Sequence, residues 1–271
     1  MPEQHEYLIT LTTDFGHKDP FVGIMKGVIL NINPKVRIID ISHEISPQDI
    51  IEASIVLRAA SKYFPPKTIH VAVVDPGVGG PRRPILVSTQ KYYFIGPDNG
   101  IFSFAYENDH RVIHITAGHY LIPSEDSTFH GRDIFAPVAA WLAKGITIDN
   151  FGEPIQDYIK ISMPKPRQVG DNVLEGEVIY MDRFGNVASN ISTEDIRNLL
   201  KSETLTGEVI GLKIMVKGQM ISGINKFYAQ AINKGPAAII NSSGLLEIYI
   251  YQGNAEIGLG LKRGDKIGVM V

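Results

Sequence analysis

Apolar and polar positions in the first half of the chain switch repeatedly between a period of two and a period near 3.6. "EYLITLTTD" predicts a strand, and "PFVGIMKGVILNI" sets apolar residues at 21, 25, 28, 29 and 32 on one helical face. Asp19 and Pro20 suit the start of that helix, an acid at the N-cap and a proline at N1. "VRIIDIS" is a second strand, and "SPQDIIEASIVLRAASKYF" a second helix with Ser46 and Asp49 spaced as a capping box. "TIHVAVVD" predicts a strand buried on both faces, followed by strands in "PILVST", "YYFIG" and "RVIHIT". "RDIFAPVAAWLAKG" closes the half as a helix that Pro137 kinks or delays. Such alternation predicts an α/β domain with a largely parallel sheet between helices.

The pattern then changes. "FGEPIQDYIKISMPKPRQVGDN" has three prolines and no sustained period, and is expected as a linker. Strands follow in "VLEGEVIYMD", "EVIGLKIMV", "AAIINSS", "LLEIYIY" and "KIGVMV", with one short helix, "STEDIRNLL", capped by Ser192 and Asp195. The expected organisation is an α/β domain over 1–155, a linker over 156–171, and a smaller all-β, barrel-like domain over 172–271.

Composition narrows the chemistry. The 271 residues are 44% hydrophobic and 20% charged, ordinary for a globular protein. A net charge of −3 with scattered lysines and arginines gives no case for nucleic acid or an anionic membrane. There is no cysteine, so disulfides, thiolate catalysis and zinc–thiolate sites are excluded. The N-terminus lacks a basic region followed by an apolar core, and no apolar run approaches the roughly 18 residues of a bilayer span, so a cytoplasmic protein is expected.

Ligands of α/β sheets gather at the carboxyl ends of strands. Three such ends carry suggestive residues: Asp14 in "LTTDFGHKD", Asp75 in "VVDPGVGG", and the "GPDNG" turn after "YYFIG". Asp14 and Asp19 could accept hydrogen bonds from a vicinal diol such as ribose, or serve only as turn and cap residues. The loop after Asp75 matches neither the P-loop nor the dinucleotide fingerprint, since Arg82 stands where a third glycine would be needed. Gly77, Gly79 and Gly80 permit positive φ and close approach of a ligand. Arg82 is far enough along to fold back over Asp75; a buried aspartate would hold its guanidinium, leaving donors for a small oxygen nucleophile. Arg83 is expected as a structural charge. His130, flanked by Phe129 and Gly131, has space beside it for a small molecule such as water, although a lone histidine is more often structural. Asp182 and Asn186 flank a Phe-Gly turn that needs no function, yet an acid and an amide there would suit an ammonium group or a heterocycle edge. No metal site is expected, because no two histidines have ligand spacing on a predicted helix and carboxylates do not cluster as in a calcium loop.

Taken in order, "TTDFGHKDPFVGIMKGVI", "VVDPGVGGPRRPI", "GPDNG", "TFHGRDIFAP", "DRFGNVASNI" and "NSSGLLEI" are similar to the S-adenosylmethionine (SAM) hydroxide adenosyltransferases, relatives of the fluorinase and chlorinase, along nearly the whole chain. The resemblance implies hydrolysis of SAM to adenosine and methionine by attack of water at ribose C5′, with SAM as substrate and no cofactor. It implies a homotrimer whose substrate lies between one subunit's N-terminal domain and a neighbour's C-terminal domain. The family's Asp-Arg-His set falls on Asp75, Arg82 and His130, and His130 could accept the proton of water. Fluorinase lacks the acid and the histidine at these positions, whereas Gly131 resembles the chlorinase, which leaves halide use to be tested. By resemblance Asp14 holds the ribose hydroxyls with Asp19 in support, and Phe129 borders ribose and adenine. Asp182 and Ser242 meet the methionine ends, and Asn186, Asn254 and Ala255 meet adenine. Ala188 and Gln48 stand where the fluorinase has aromatics. The alternatives are a SAM or adenosine sensor without turnover, a SAM-dependent halogenase, and a metal-dependent phosphate hydrolase.

Overall fold

The computed structural model describes residues 7–107, 109–123, 128–201 and 209–271, and divides into two compact units, Met1–Ser162 and Met163–Val271. Glu6 and Glu208, the first residues of two expected strands, lie outside the described residues.

The first unit is built on a seven-stranded sheet: β1 (Leu8–Thr13), β2 (Arg37–Ser42), β3 (Ile69–Val73), β4 (Pro84–Thr89), β5 (Tyr93–Pro97), β6 (His110–Ile115) and β7 (Gly152–Ile155), in the order β2-β1-β3-β5-β4-β6-β7. Strands β2, β1, β3 and β5 are mutually parallel; β4 is antiparallel to β5 and β6, and β7 to β6. The sheet is therefore mixed but largely parallel in direction. Residues 90–92 alone separate β4 from β5, too few for the crossover that a parallel pair requires. Strand β7 lies within the stretch whose prolines had suggested no regular structure.

Alternating residues of the central strands feed two cores. Val71, Val73, Leu86 and Ile113 face α1 (Phe21–Ile32) and a later helix, α3 (Ala136–Ala143). Ala72, Val74, Ile85, Val87 and Val112 join Ala53 and Leu57 of α2 (Ile50–Ser61) on the other face. This two-sided burial is why "TIHVAVVD" has no polar alternation.

Two helix starts differ from expectation, and a third is delayed as expected. Pro20, not Asp19, occupies the N-cap of α1: its carbonyl accepts from Ile24 N at 2.9 Å, and no side chain caps. Phe21 is correspondingly exposed, and Val22 takes its place in the core. Helix α2 begins at Asp49, whose side chain accepts from Glu52 N at 2.9 Å, one turn after the Ser46 anticipated. Pro137 delays α3, since Gly131–Phe135 form a π-turn before regular α-helix starts at Ala136. Such turns are frequent at functional sites.

The second unit is an antiparallel sheet ordered β12-β11-β15-β9-β10-β14-β13, with β8 (Arg167–Gln168) paired to β9. Its strands are β9 (Val173–Met181), β10 (Val187–Ser192), β11 (Val209–Val216), β12 (Gln219–Ile224), β13 (Pro236–Ile240), β14 (Leu245–Ile250) and β15 (Lys266–Met270). A bridge between Asn225 and Ile239 joins its two ends and nearly closes a barrel around Val178, Val187, Ile214, Leu246 and Ile267. Strands β10 and β12 escaped the sequence pattern because Ser189, Asn190 and Ser222 interrupt their apolar positions. Helix α4 (Thr193–Leu200) has the expected capping box of Ser192 and Asp195; α5 (Ala255–Leu259) was not anticipated.

Candidate active site

Parallel pairing of β1 with β3, which sets Thr13 beside Val73, brings Asp14 and Asp75 to the same carboxyl edge of the first unit's sheet. The Asp14 loop is pinned from below. Gly16 N donates to His43 O at 2.7 Å, and Thr13 Oγ1 lies 2.8 Å from His43 Nδ1 while accepting from Phe15 N at 3.2 Å. His43 Nε2 lies 3.0 Å from Asp40 Oδ1, and burial keeps its pKa below the ordinary histidine range. Asp14 Oδ2 accepts from Gln48 N at 2.8 Å, where Gln48 adopts a left-handed φ of 65°. Asp19 is exposed and makes no cap.

Between β3 and β4 the chain runs out as an exposed loop and returns through Arg82. Arg82 Nε donates to Asp75 Oδ1 at 2.9 Å and its Nη2 to Oδ2, a two-pronged pair whose side chains are 9% and 5% exposed. The same Nη2 lies 2.6 Å from His130 Nδ1. Nη1 is buried without a hydrogen-bond partner among the described residues. The guanidinium carbon sits 5.6 Å from the centre of the Phe135 ring, in the π-turn that also carries Gly131. Of the loop glycines only Gly79 uses positive φ (75°); Gly77 serves closeness instead, since a Cβ there would come within 3.3 Å of Arg82 Cγ.

A guanidinium can only donate, so His130 Nδ1 must accept, and a neutral ring then carries its proton on Nε2. Burial, and next the Arg82 charge, hold the His130 pKa below its ordinary value, which keeps the ring neutral. The group set is thus one carboxylate, one fixed cation with a buried N–H unpaired among the described residues, and one imidazole presenting a donor.

Phe129 forms edge contacts with Phe15 (5.8 Å) and Phe21 (5.3 Å), and the Arg132 guanidinium lies 5.5 Å from its ring centre. Arg132 is itself forked onto buried Asp133 at 2.6 and 2.9 Å. A Cβ on Gly131 would come within 2.9 Å of Phe129 Cε2 and 3.1 Å of Met25 Sδ. Phe15 and Phe21 were missed by the sequence reading; apolar residues in "DFG" and at a helix start carry no signal of an aromatic cluster.

In the second unit, Asp182 Oδ1 accepts from Phe184 N and Asn186 N, both at 2.9 Å, and Oδ2 from Asn186 Nδ2 at 2.9 Å. Gly185 packs on Asn254, and its carbonyl accepts from Ala255 N and Glu256 N at 3.0 Å. Asn254 caps α5 through Ile257 N at 2.7 Å. Ser242 is exposed on the turn after β13, whose Asn241 Nδ2 donates to Glu247 Oε2 at 3.1 Å. Glu247 also accepts from Tyr228 OH at 2.9 Å, and burial raises its pKa. The Asp182–Asn186 turn and the Asn254–Ala255 helix start are therefore one contact group.

Models of the SAM hydroxide adenosyltransferase N-terminal and C-terminal domains match residues 9–152 and 176–268. The chain belongs to this family. An (R)-S-adenosyl-L-methionine hydrolase of Methanocaldococcus jannaschii is 38% identical, covering 97% of this chain and 95% of its own. A fluorinase of an Actinoplanes species is 26% identical over 92% of each chain. The crystal structure of an uncharacterized conserved protein from Thermotoga maritima superposes with a TM-score of 0.89 at 34% identity, covering 97% of this chain and all of that chain.

Proposed function

We propose that this enzyme hydrolyses S-adenosyl-L-methionine to adenosine and L-methionine, with the (R) configuration at sulfur that the hydrolase relatives' name specifies. The carrying observation is the Asp75–Arg82–His130 arrangement, with Arg82 Nη1 buried and without a partner among the described residues.

The sulfonium leaves C5′ as a neutral thioether, so no general acid is needed. The barrier lies in holding a poor nucleophile in line with the C–S bond. In this reading Asp75 fixes the guanidinium, and Arg82 and His130 Nε2–H orient the oxygen by donating to it. Two donors and no acceptor suit hydroxide, an oxygen that already bears negative charge, so water gives up its proton to solvent before it attacks. The oxygen bonds to C5′ as the C5′–S bond breaks, and the bonding pair passes to sulfur. His130 then serves as a donor rather than as the proton acceptor. Orientation of this kind is worth roughly 7–11 kcal/mol in well-placed systems.

Asp14 keeps Oδ1 for the ribose hydroxyls, and the Phe129 cluster supplies an apolar wall. Asp182 retains lone pairs on Oδ2 for the methionine ammonium, Ser242 meets the carboxylate, and Asn186 with the Asn254–Ala255 segment meets the adenine edge. These residues are divided between two units, which fits a homotrimer completing each substrate site between subunits; light scattering tests the trimer. Among the described residues no helix is long and apolar enough to cross a membrane.

Incubation with SAM in ¹⁸O-water tests the reaction. Adenosine carrying one heavy oxygen beside free methionine is expected. Unlabelled adenosine, a halogenated adenosine, or bound intact SAM would overturn the reading.

A further inference from the structure

The "GPDNG" turn after β5 carries no role in the chemistry above, yet its two polar residues grip both ends of the loop that holds Asp75 and Arg82. Asn99 Nδ2 donates to Val74 O, the residue before Asp75, at 2.8 Å, while Asn99 Oδ1 accepts from Ile101 N at 3.2 Å. Asp98 N donates to the carbonyl of Arg83, the residue after Arg82, at 2.8 Å. Asp98 Oδ2 accepts from Arg83 Nε at 3.2 Å and Nη2 at 2.9 Å, and its Oδ1 from Ile159 N at 2.8 Å. Asp98 is 2% exposed. Arg83 continues to the Asp157 side chain and carbonyl, each at 2.8 Å.

We propose that Asp98 and Asn99 are positioning residues: they clamp the stem of the loop at Val74 and Arg83 and so set the Asp75–Arg82 pair against His130. The inference rests on the reading of Asp75, Arg82 and His130 as the set that holds the nucleophile. The loop cannot set this geometry by itself. Residues 76–81 are exposed, include three glycines, and make two internal backbone hydrogen bonds, Val78 N to Asp75 O (3.3 Å) and Gly80 N to Gly77 O (3.0 Å). The stem, by contrast, is gripped by a buried carboxylate whose two oxygens accept from three donors, and by an amide that donates and accepts at once. Neither Asp98 nor Asn99 hydrogen-bonds to Asp75, Arg82 or His130. Each acts through the residue next to a member of that set.

Asn99→Asp is the sharpest probe. It keeps the shape and the Ile101 contact but turns an acceptor toward the Val74 carbonyl. A displacement of about 1 Å at a reacting group costs on the order of a hundredfold in rate, so kcat should fall by about that factor while KM for SAM is held. Arg83→Met removes the other grip at a partly exposed side chain and should lower kcat in the same sense; it carries the test where Asn99→Asp does not fold. In an Arg82→Ala background, Asn99→Asp should lower residual turnover no further. Wild-type kcat in folded variants would overturn the proposal. So would a rise in KM matching the fall in kcat, or an undiminished effect without Arg82. Should Arg82→Ala itself turn over at the wild-type rate, the catalytic reading fails, and that result is distinguishable from failure of the clamp alone.

Discussion

Arg82 Nη2 lies 2.6 Å from His130 Nδ1 while the same guanidinium is forked onto Asp75, so one side chain fixes both the position and the tautomer of the histidine. Lysine offers a point charge without the fork and cannot hold both Asp75 oxygens and the ring. Arg82→Lys should therefore lose about a hundredfold or more in kcat with KM for SAM held, read from steady-state kinetics. Unchanged turnover at saturating substrate would remove Arg82 from the chemistry.

The pH profile follows from the same contact. Burial and the Arg82 charge depress the His130 pKa, and protonation would turn an N–H toward the guanidinium donors. Activity depends on the neutral ring, which persists as pH falls through the ordinary histidine range of about 6.5. The acid limb of kcat should lie below that range and vanish in His130→Asn. An acid limb centred above it would contradict the assigned tautomer.

Gly131 is packed too closely for any side chain, with Phe129 Cε2 2.9 Å and Met25 Sδ 3.1 Å from a built Cβ. Gly131→Ala must displace the Phe129 ring or the methionine. Overpacking of this kind costs typically about 1–3 kcal/mol. A lower melting temperature together with a raised KM for SAM is expected. A variant with both values unchanged would show that Phe129 does not border the substrate.

His70 lies in the core, 2.7 Å from Thr10 Oγ1 and stacked on Phe94. Burial pushes its pKa down to about 3. The unfolded chain takes up this proton near pH 6.5 and the folded chain only near 3, so stability falls as pH drops across that window. The slope from this residue is about 1.4 kcal/mol per pH unit. Urea unfolding at pH 7 and pH 5 should show a smaller loss in His70→Gln than in the parent protein. Equal losses would assign the acid sensitivity elsewhere.

Local signals were legible in the chain. Ser192 and Asp195 cap α4 as their spacing requires, Pro137 sets where α3 begins, and the apolar run of β3 is buried on both faces as its composition demands. The exceptions have equally local causes: Asp19 stands beside a proline that closes the helix through its own carbonyl, and Ser189 and Asn190 mask the period of β10.

The sequence by itself therefore determined most of the elements, the α/β-then-β organisation and the ordered motifs that mark the family, because periodicity, capping and motif order are written within a few residues. It also placed Arg82 within reach of Asp75. Only the tertiary structure decided strand order, since apolar patterning carries no direction and the antiparallel placement of β4 depends on its partners β5 and β6. Only it assigned the His130 proton to Nε2, because that tautomer is dictated by a guanidinium 48 positions away. And only it joined Asn99 to Val74 and Asp98 to Arg83: hydrogen bonds between separate loops follow from where the sheet sets them, which no single stretch of chain encodes.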